Sequence, residues 1–413
     1  MHSDLFYVDI PLVPTNGEKP PEGNTNENII GQLPFFLNGT DICHDNSFMP
    51  YVTTDKNKSK YFCTHVSNNK NDKGTLWILE KALSLILKIK ETNPDLIWII
   101  ENKDELFAHH EYLWIKETSK LFKRNNFVIL SAELDKSVSD GFVKSFPSTL
   151  NVYQYLHHNR FLIPSSYIES TQNRNIIKDK KILSSTRKYN PSRESFYKQL
   201  IGDSENILIN DDNSFRYFGK TDRDNLSKTD VIEYWNSKYN FNHDKVSGDD
   251  MLWKEEAFYN ELLSEYENYY FSIVHETFPK DLITYDPPSL KSEFSKWYKL
   301  QMGEKTLLPM TSKTIFFSNS LPNIEKKLNE IGIETFSYLF EEYDALTFDN
   351  RSDVLISICK KINNMSYSDI EELYNRKDVQ SKLEKNYNYI LHYKNKENCR
   401  NEHIEFLKTL HEN

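Results

Sequence analysis

No two of the four cysteines (Cys43, Cys63, Cys359 and Cys399) form a C-x-x-C pair. That spacing argues against a zinc site or a disulfide framework and fits a reducing compartment. No apolar run approaches the roughly eighteen residues that a bilayer-spanning helix needs. The first residues, MHSDLFYVDIPLVP, have neither the basic start nor the long apolar core of a signal peptide. The expectation is a cytoplasmic protein with no integral membrane segment. No G-x-G-x-x-G follows the first predicted strand, which argues against a Rossmann dehydrogenase or sugar-nucleotide epimerase. No internal repeat is visible. Basic residues do not dominate either: 51 Lys and Arg against 61 Asp and Glu leave a formal charge of −10. That balance disfavours a surface coated by nucleic acid, although a local basic groove in 116–124 or 172–188 stays open.

The chain is that of an ordinary globular protein, 38% hydrophobic and 27% charged over 413 residues. Such a length favours two or three domains, each with its own core. Aromatic residues are plentiful, with 25 Tyr and 25 Phe. Short apolar runs bounded by turn residues predict buried parallel strands at LFYVDIPL (5–12), LIWIIE (96–101), FVILSAE (127–133) and LNVYQYL (150–156). Helical spacing predicts helices over 76–90, ended by Asn93-Pro94, and over 105–123. A polar, irregular stretch at 160–180 reads as an interdomain connection. Beyond it strands are predicted at 180–188, 207–210, 270–277, 312–317 and 334–338. The predicted helices there are 192–202, 253–268 and 321–332, followed by a helical region from about 351 onward. The fold class expected is α/β, with two consecutive Rossmann-like domains, an interdomain cleft and a helical C-terminus. The domains predicted are 1–165 and 175–390, with a C-terminal helix over 391–413.

The chemistry concentrates between Tyr270 and Asp344. The strand YFSIVHET ends in Glu276, and GEKT (303–306) then places Glu304, Lys305 and Thr306 near a helix start. In open α/β sheets ligands collect at strand carboxyl ends and helix amino ends. A diphosphate leaving group needs a cation and backbone N–H groups as its charge develops, which Lys305 at a helix start supplies. Glu304 would accept hydrogen bonds from ribose hydroxyls, and Glu276 would either orient Lys305 or bind the donor sugar. For each of these side chains an ordinary surface ion pair is the competing reading.

The order of these pieces resembles a group of phage-type glycosyltransferases. They have the GT-B architecture, and their C-terminal domain is similar to that of fucosyltransferase-like enzymes. The resemblance rests on Glu304-Lys305-Thr306, Pro309, the strand Ile315 to Phe317, Gly332 to Phe336, Glu342-Tyr343-Asp344 and Arg351, and covers about 180–390. Gly303 departs from the family's usual Thr, and the insert 279–302 is a candidate lid or acceptor contact.

The resemblance implies a nucleotide-sugar donor, UDP- or GDP-linked, held by Glu276, Glu304, Lys305 and Thr306, with Arg187 and Arg193 reaching the pyrophosphate. It implies no metal and no further cofactor. Gly332, Thr335, Phe336 and Tyr343 read as fold determinants, and Glu342 and Asp344 as pocket or loop residues. The base that accepts the acceptor's proton is expected from the first domain, where Glu101, Glu133 and Asp9 end strands. Glu101 is the first choice, against the alternative that each carboxylate caps a helix or binds a loop amide. His109-His110 and His157-His158 are doublets, not helix-spaced metal pairs, and read as surface histidines. The acceptor is a glycan, a protein or a hydroxymethylated base of phage DNA. The alternative from another class is a non-catalytic nucleotide- or glycan-binding protein that keeps the fold.

Overall fold

The structure is a computed structural model. It describes residues 6–8, 60–66, 72–102, 114–115, 117–123, 126–131, 151–154, 176–186, 196–197, 199–200, 210–217, 265–276, 304–320, 322–346 and 348–394. The chain is α/β with two parallel sheets. It divides into two compact units: Met1–Arg160 with Tyr285–Gln301 and Tyr393–Asn413, and Phe161–Thr284 with Met302–His392.

The first sheet contains β1 (Phe6–Val8), β2 (Tyr61–Val66), β3 (Ile97–Asn102), β4 (Phe127–Ser131) and β5 (Asn151–Gln154), all parallel and side by side in chain order. Four of these fall where apolar runs predict them. β2, with the sequence YFCTHV, was not anticipated, because its second half is polar and short. Side chains alternate across a strand, so Phe62, Trp98, Ile100, Phe127 and Ile129 share one face. Helix α1 (Asp72–Lys90) packs on that face through Leu79, Ala82, Ile86 and Ile89. Trp98 anchors this core, edge-on to Phe127 with centroids 5.1 Å apart and tilted against Phe122 at 5.6 Å. Because the strand order never reverses among the described strands, right-handed crossovers put successive connections on the same face. Accordingly α1 and the segment holding Ile115 and Phe122 join a single core cluster.

The second sheet differs in one decisive respect. Its strands β6 (Lys180–Thr186), β7 (Asn213–Tyr217), β8 (Tyr269–His275) and β9 (Ile315–Asn319) are parallel in the order β7-β6-β8-β9. The chain moves outward from β6 in one direction and then returns past it to continue in the other. That reversal falls between β6 and β8. β8 and β9 are buried at every residue, as continuous apolar runs require of central parallel strands.

Of the strand expected at 207–210, Asn210 is in a bend and 207–209 lie outside the described residues; the strand Asn213–Tyr217 was not anticipated. One sequence-based expectation fails here. The strand expected at 334–338 is not a strand: Ser337–Leu339 is a single turn of 3₁₀ helix. This turn sends Phe336 against Phe316 and Phe340 against Phe271 and Phe317. Neighbouring positions 316 and 317 face opposite sides of a strand, so the segment wraps the free edge of β9 instead of extending the sheet.

Helices α2 (Glu304–Thr311) and α3 (Ile324–Glu330) flank β9, and α4 (Phe348–Asn364), α5 (Tyr367–Tyr374) and α6 (Lys377–Lys394) complete the unit. Gly332 ends α3 with φ +93°, a left-handed conformation that favours glycine. A capping box between Ser366 and Asp369 starts α5. Asn386 of α6 brackets residue 334, accepting from its N–H (2.7 Å) and donating to its carbonyl (2.9 Å). At the amino end of the sheet the buried Lys178 donates to the carbonyls of Tyr269 (2.8 Å), Ser312 (3.1 Å) and Tyr266 (3.3 Å) and to Thr314 Oγ1 (2.9 Å). It thereby ties the starts of β8 and β9 to the segment before β6.

Candidate functional site

A strand-order reversal leaves a crevice outside the carboxyl ends of the two strands that flank it, because their crossovers leave on opposite faces. In the second sheet those strands are β6 and β8. The residues that finish them, and the start of α2, are where the sequence concentrates its chemistry.

Glu276 follows directly after β8 and is 3% exposed. Its Oε1 accepts from the backbone N–H of Thr306 (3.2 Å) and from the Thr306 hydroxyl. Thr306 is the third residue of α2, so Glu276 caps the helix from thirty positions earlier in the chain, satisfying an amide that has no partner within the helix. A carboxylate at that end also matches the positive pole of the helix dipole. Of the two roles open to Glu276 from the sequence, this geometry supports orientation: it fixes the end of α2 beside the end of β8. Thr306, fully buried, takes part in the same contact. Lys305, the second residue of α2, is half-buried. The helix start, the ammonium-bearing residue and the strand end are therefore one mechanical unit.

Beside this unit lies a buried chain of hydrogen bonds across three strand ends. His275 Nδ1 meets Asn319 Nδ2 at 3.1 Å, His275 Nε2 meets Ser184 Oγ at 3.0 Å, and Ser184 Oγ meets Tyr197 OH at 2.9 Å. The tautomer of His275 sets the direction of the bonds to Ser184 and on to Tyr197. Phe196 and Tyr197 enclose the ring, with centroids 4.7 and 5.4 Å away. The network holds the ends of β6, β8 and β9 together at the reversal.

A third group closes the edge of β9. Its outward N–H at Ser318 donates to Tyr343 OH (2.9 Å) and more weakly to Glu325 Oε1 (3.4 Å). The Tyr343 hydroxyl donates to Glu325. Burial pushes the Glu325 carboxyl up to about 7, against the hydrogen bonds from Tyr343 and Ser337 that favour its charged form. Burial likewise lifts Tyr343 well above the usual phenol range, so it stays a donor. Asp344 accepts from the N–H groups of Glu325 and Lys326, both at 2.9 Å, at the start of α3. Arg351 is fully buried, donates to the Asp344 carbonyl, lies 3.6 Å from its carboxylate and sits 5.6 Å from the centre of the Tyr343 ring. Asp344, placed in a pocket or loop by the sequence, is here a helix cap and ion-pair partner.

The other predicted site residues are placed less fully. Glu101 is the fifth residue of β3, in register with His65 and Leu130, near the carboxyl end of the first sheet. Glu304 opens α2. Asp9, Glu133, Arg187 and Arg193 lie outside the described residues, as do the insert 279–302 and the histidine doublets. Ser184, Tyr197, His275, Asn319 and Glu325 were not anticipated as a group. A polar residue inside an otherwise apolar strand was the available signal for Ser184 and Asn319. Among the described residues no cluster of three or more His, Cys, Asp or Glu side chains is arranged to hold a metal ion. Among them, too, no helix is long and apolar enough to cross a membrane. Compared with family models, with curated proteins and with solved structures, the chain matches none.

Proposed function

We propose that this chain is a nucleotide-sugar-dependent glycosyltransferase of GT-B type, with two Rossmann-like domains. The observation that carries the reading is the capped start of α2. Glu276 and Thr306 hold Lys305 at a helix amino end, beside the strand-order reversal of the second sheet. A nucleoside diphosphate is the leaving group such an arrangement suits. Its phosphate charge grows as the glycosidic bond breaks, and an ammonium with first-turn amides offsets that charge without reorganising.

In this reading the acceptor hydroxyl oxygen attacks the anomeric carbon and the bond to the diphosphate oxygen breaks. The hydroxyl proton passes to a carboxylate of the first domain, with Glu101 the leading choice and Glu133 and Asp9 behind it. No metal takes part. The donor is a UDP- or GDP-sugar, and the acceptor is a hydroxyl of a glycan, a protein or a hydroxymethylated DNA base.

The test is a transfer and hydrolysis assay over a panel of UDP-, GDP- and CMP-sugars, read by release of nucleoside diphosphate. Lys305→Ala should abolish release by the best donor while leaving the melting temperature within a few degrees. Glu101→Gln should still bind donor yet fail to turn over. Normal turnover in Lys305→Ala would remove the assignment.

A further inference from the structure

β8 ends in a buried imidazole. His275 is 0% exposed, and each of its ring nitrogens meets a side chain from a neighbouring strand: Ser184 Oγ of β6 at 3.0 Å and Asn319 Nδ2 of β9 at 3.1 Å. The register explains this reach. His275 pairs with Asn319, the last residue of β9, so the two side chains stand next to each other on one face. Ser184 pairs with Ile273, two positions before His275, and so presents its side chain on that same face. Backbone pairing between β6 and β8 runs from Lys180 with Tyr269 to Ser184 with Ile273. The His275–Ser184 bond carries the tie on to the last residue of β8.

Stability gives little reason for this chain of bonds. Replacing both partners of a buried hydrogen bond by apolar groups of the same shape is nearly neutral, and here the buried Asn319 Oδ1 has no partner at all. What a buried polar network does supply is one fixed arrangement of the strands that carry it. The residue after His275 is Glu276, whose carboxylate holds the N–H and hydroxyl of Thr306 and with them the start of α2. Lys305 immediately precedes Thr306. The path from His275 to Lys305 is therefore a peptide bond, a buried hydrogen-bonded contact and a second peptide bond.

We propose that His275 is a positioning residue for the diphosphate site. By tying the end of β8 to β6 and β9 it fixes where Glu276, and through it Lys305 and the first-turn amides of α2, stand at the strand-order reversal. This role rests on the nucleotide-binding reading given above. Groups that grip a reacting ligand are sensitive to such placement, since a displacement of about 1 Å can cost roughly 100-fold.

The test is calorimetric titration of UDP and GDP into the full-length protein, at a temperature where every variant is folded. Whichever nucleotide binds the parent should bind His275→Leu roughly tenfold more weakly. Leu383→Ala, a buried change in α6, should lower the melting temperature and leave nucleotide affinity as in the parent. In the Lys305→Ala background His275→Leu should lose most of its effect, because a residue that acts through Lys305 then lacks its route. If His275→Leu does not fold, Ser184→Ala, which breaks the tie to β6 and leaves the ring in place, decides by the same comparisons. Parent-like affinity in the folded variant, a loss matched by Leu383→Ala, or a loss that adds in full to that of Lys305→Ala would each overturn the positioning role and leave the nucleotide site standing. No binding of either nucleotide to the parent would remove the nucleotide reading and this role with it.

Discussion

Removing the carboxylate of Glu276 should loosen the amino end of α2 by a calculable amount. Two donors of Thr306, its N–H and its hydroxyl, share one Glu276 oxygen in a fully buried setting. Hydrogen bonds to a charged group are each worth about 1.5–3 kcal/mol net, and a helix cap lost to alanine costs about 1 kcal/mol in more exposed settings. Glu276→Ala strands both donors, so a loss of about 3 kcal/mol is expected. Thr306→Val keeps the shape and the backbone bond and should cost about 1.5 kcal/mol. The pair shares a contact, so the double variant should lose less than the sum, with a coupling of about 1 kcal/mol. Urea unfolding of the four proteins, read at the midpoint with unchanged slope, measures this. Glu276→Ala within about 0.5 kcal/mol of the parent, or strict additivity, would refute the cap. A functional consequence accompanies it. Thr306 is fully buried, so any loss of nucleotide affinity in Thr306→Val reports displacement of Lys305 and not a lost ligand contact.

The remaining expectations concern buried groups. Glu325 has its carboxyl raised to about 7 by burial, so between about 4.3 and 7 the folded chain holds a proton that the unfolded chain has released. Stability from this group therefore falls as pH rises through that window, and Glu325→Gln should melt higher than the parent at pH 8 but not at pH 5. An equal difference at both pH values contradicts it. Burial lowers Lys178 to about 7, opposed by Glu267, so from about 7 to 10.4 the unfolded chain binds the extra proton and this group's contribution to stability rises with pH. Lys178→Met should flatten the difference in melting profiles across that range, and parallel profiles would refute the assignment. Gly332→Ala should cost about 1–2 kcal/mol through its left-handed backbone alone, since a Cβ there would meet Tyr389 at an ordinary 3.9 Å. Cys359 is buried with its thiol raised to about 12, so mass-spectrometric mapping after iodoacetamide should find it unlabelled until urea is added.

Strands carried by unbroken apolar runs were legible from the chain, namely IWIIEN, FVILS, YYFSIVH and IFFSN. The strand Asn213–Tyr217 was not legible, because its sequence NSFRY is largely polar and its place is set by pairing with β6, in register from Ile182 to Thr186. The aromatic residues of 334–338 suggest a strand, but Phe336 and Phe340 are spent on opposite faces of β9. At the site, chemistry at position 276 was legible as a carboxylate ending a strand. Its job as a cap was not, because that depends on Thr306 returning to it from a distant helix. The links among Ser184, His275 and Asn319 are likewise set by strand order, which no local pattern encodes.

The central claim is that Lys305, at the capped start of α2, grips the diphosphate of an activated sugar. Calorimetric titration of UDP and GDP into the parent protein and into Lys305→Ala tests it most directly. The account predicts that one of the two nucleotides binds the parent and that its affinity drops roughly 10- to 100-fold in Lys305→Ala, with the melting temperature preserved. Equal affinity in the two proteins, or no binding of either nucleotide to the parent, would contradict it.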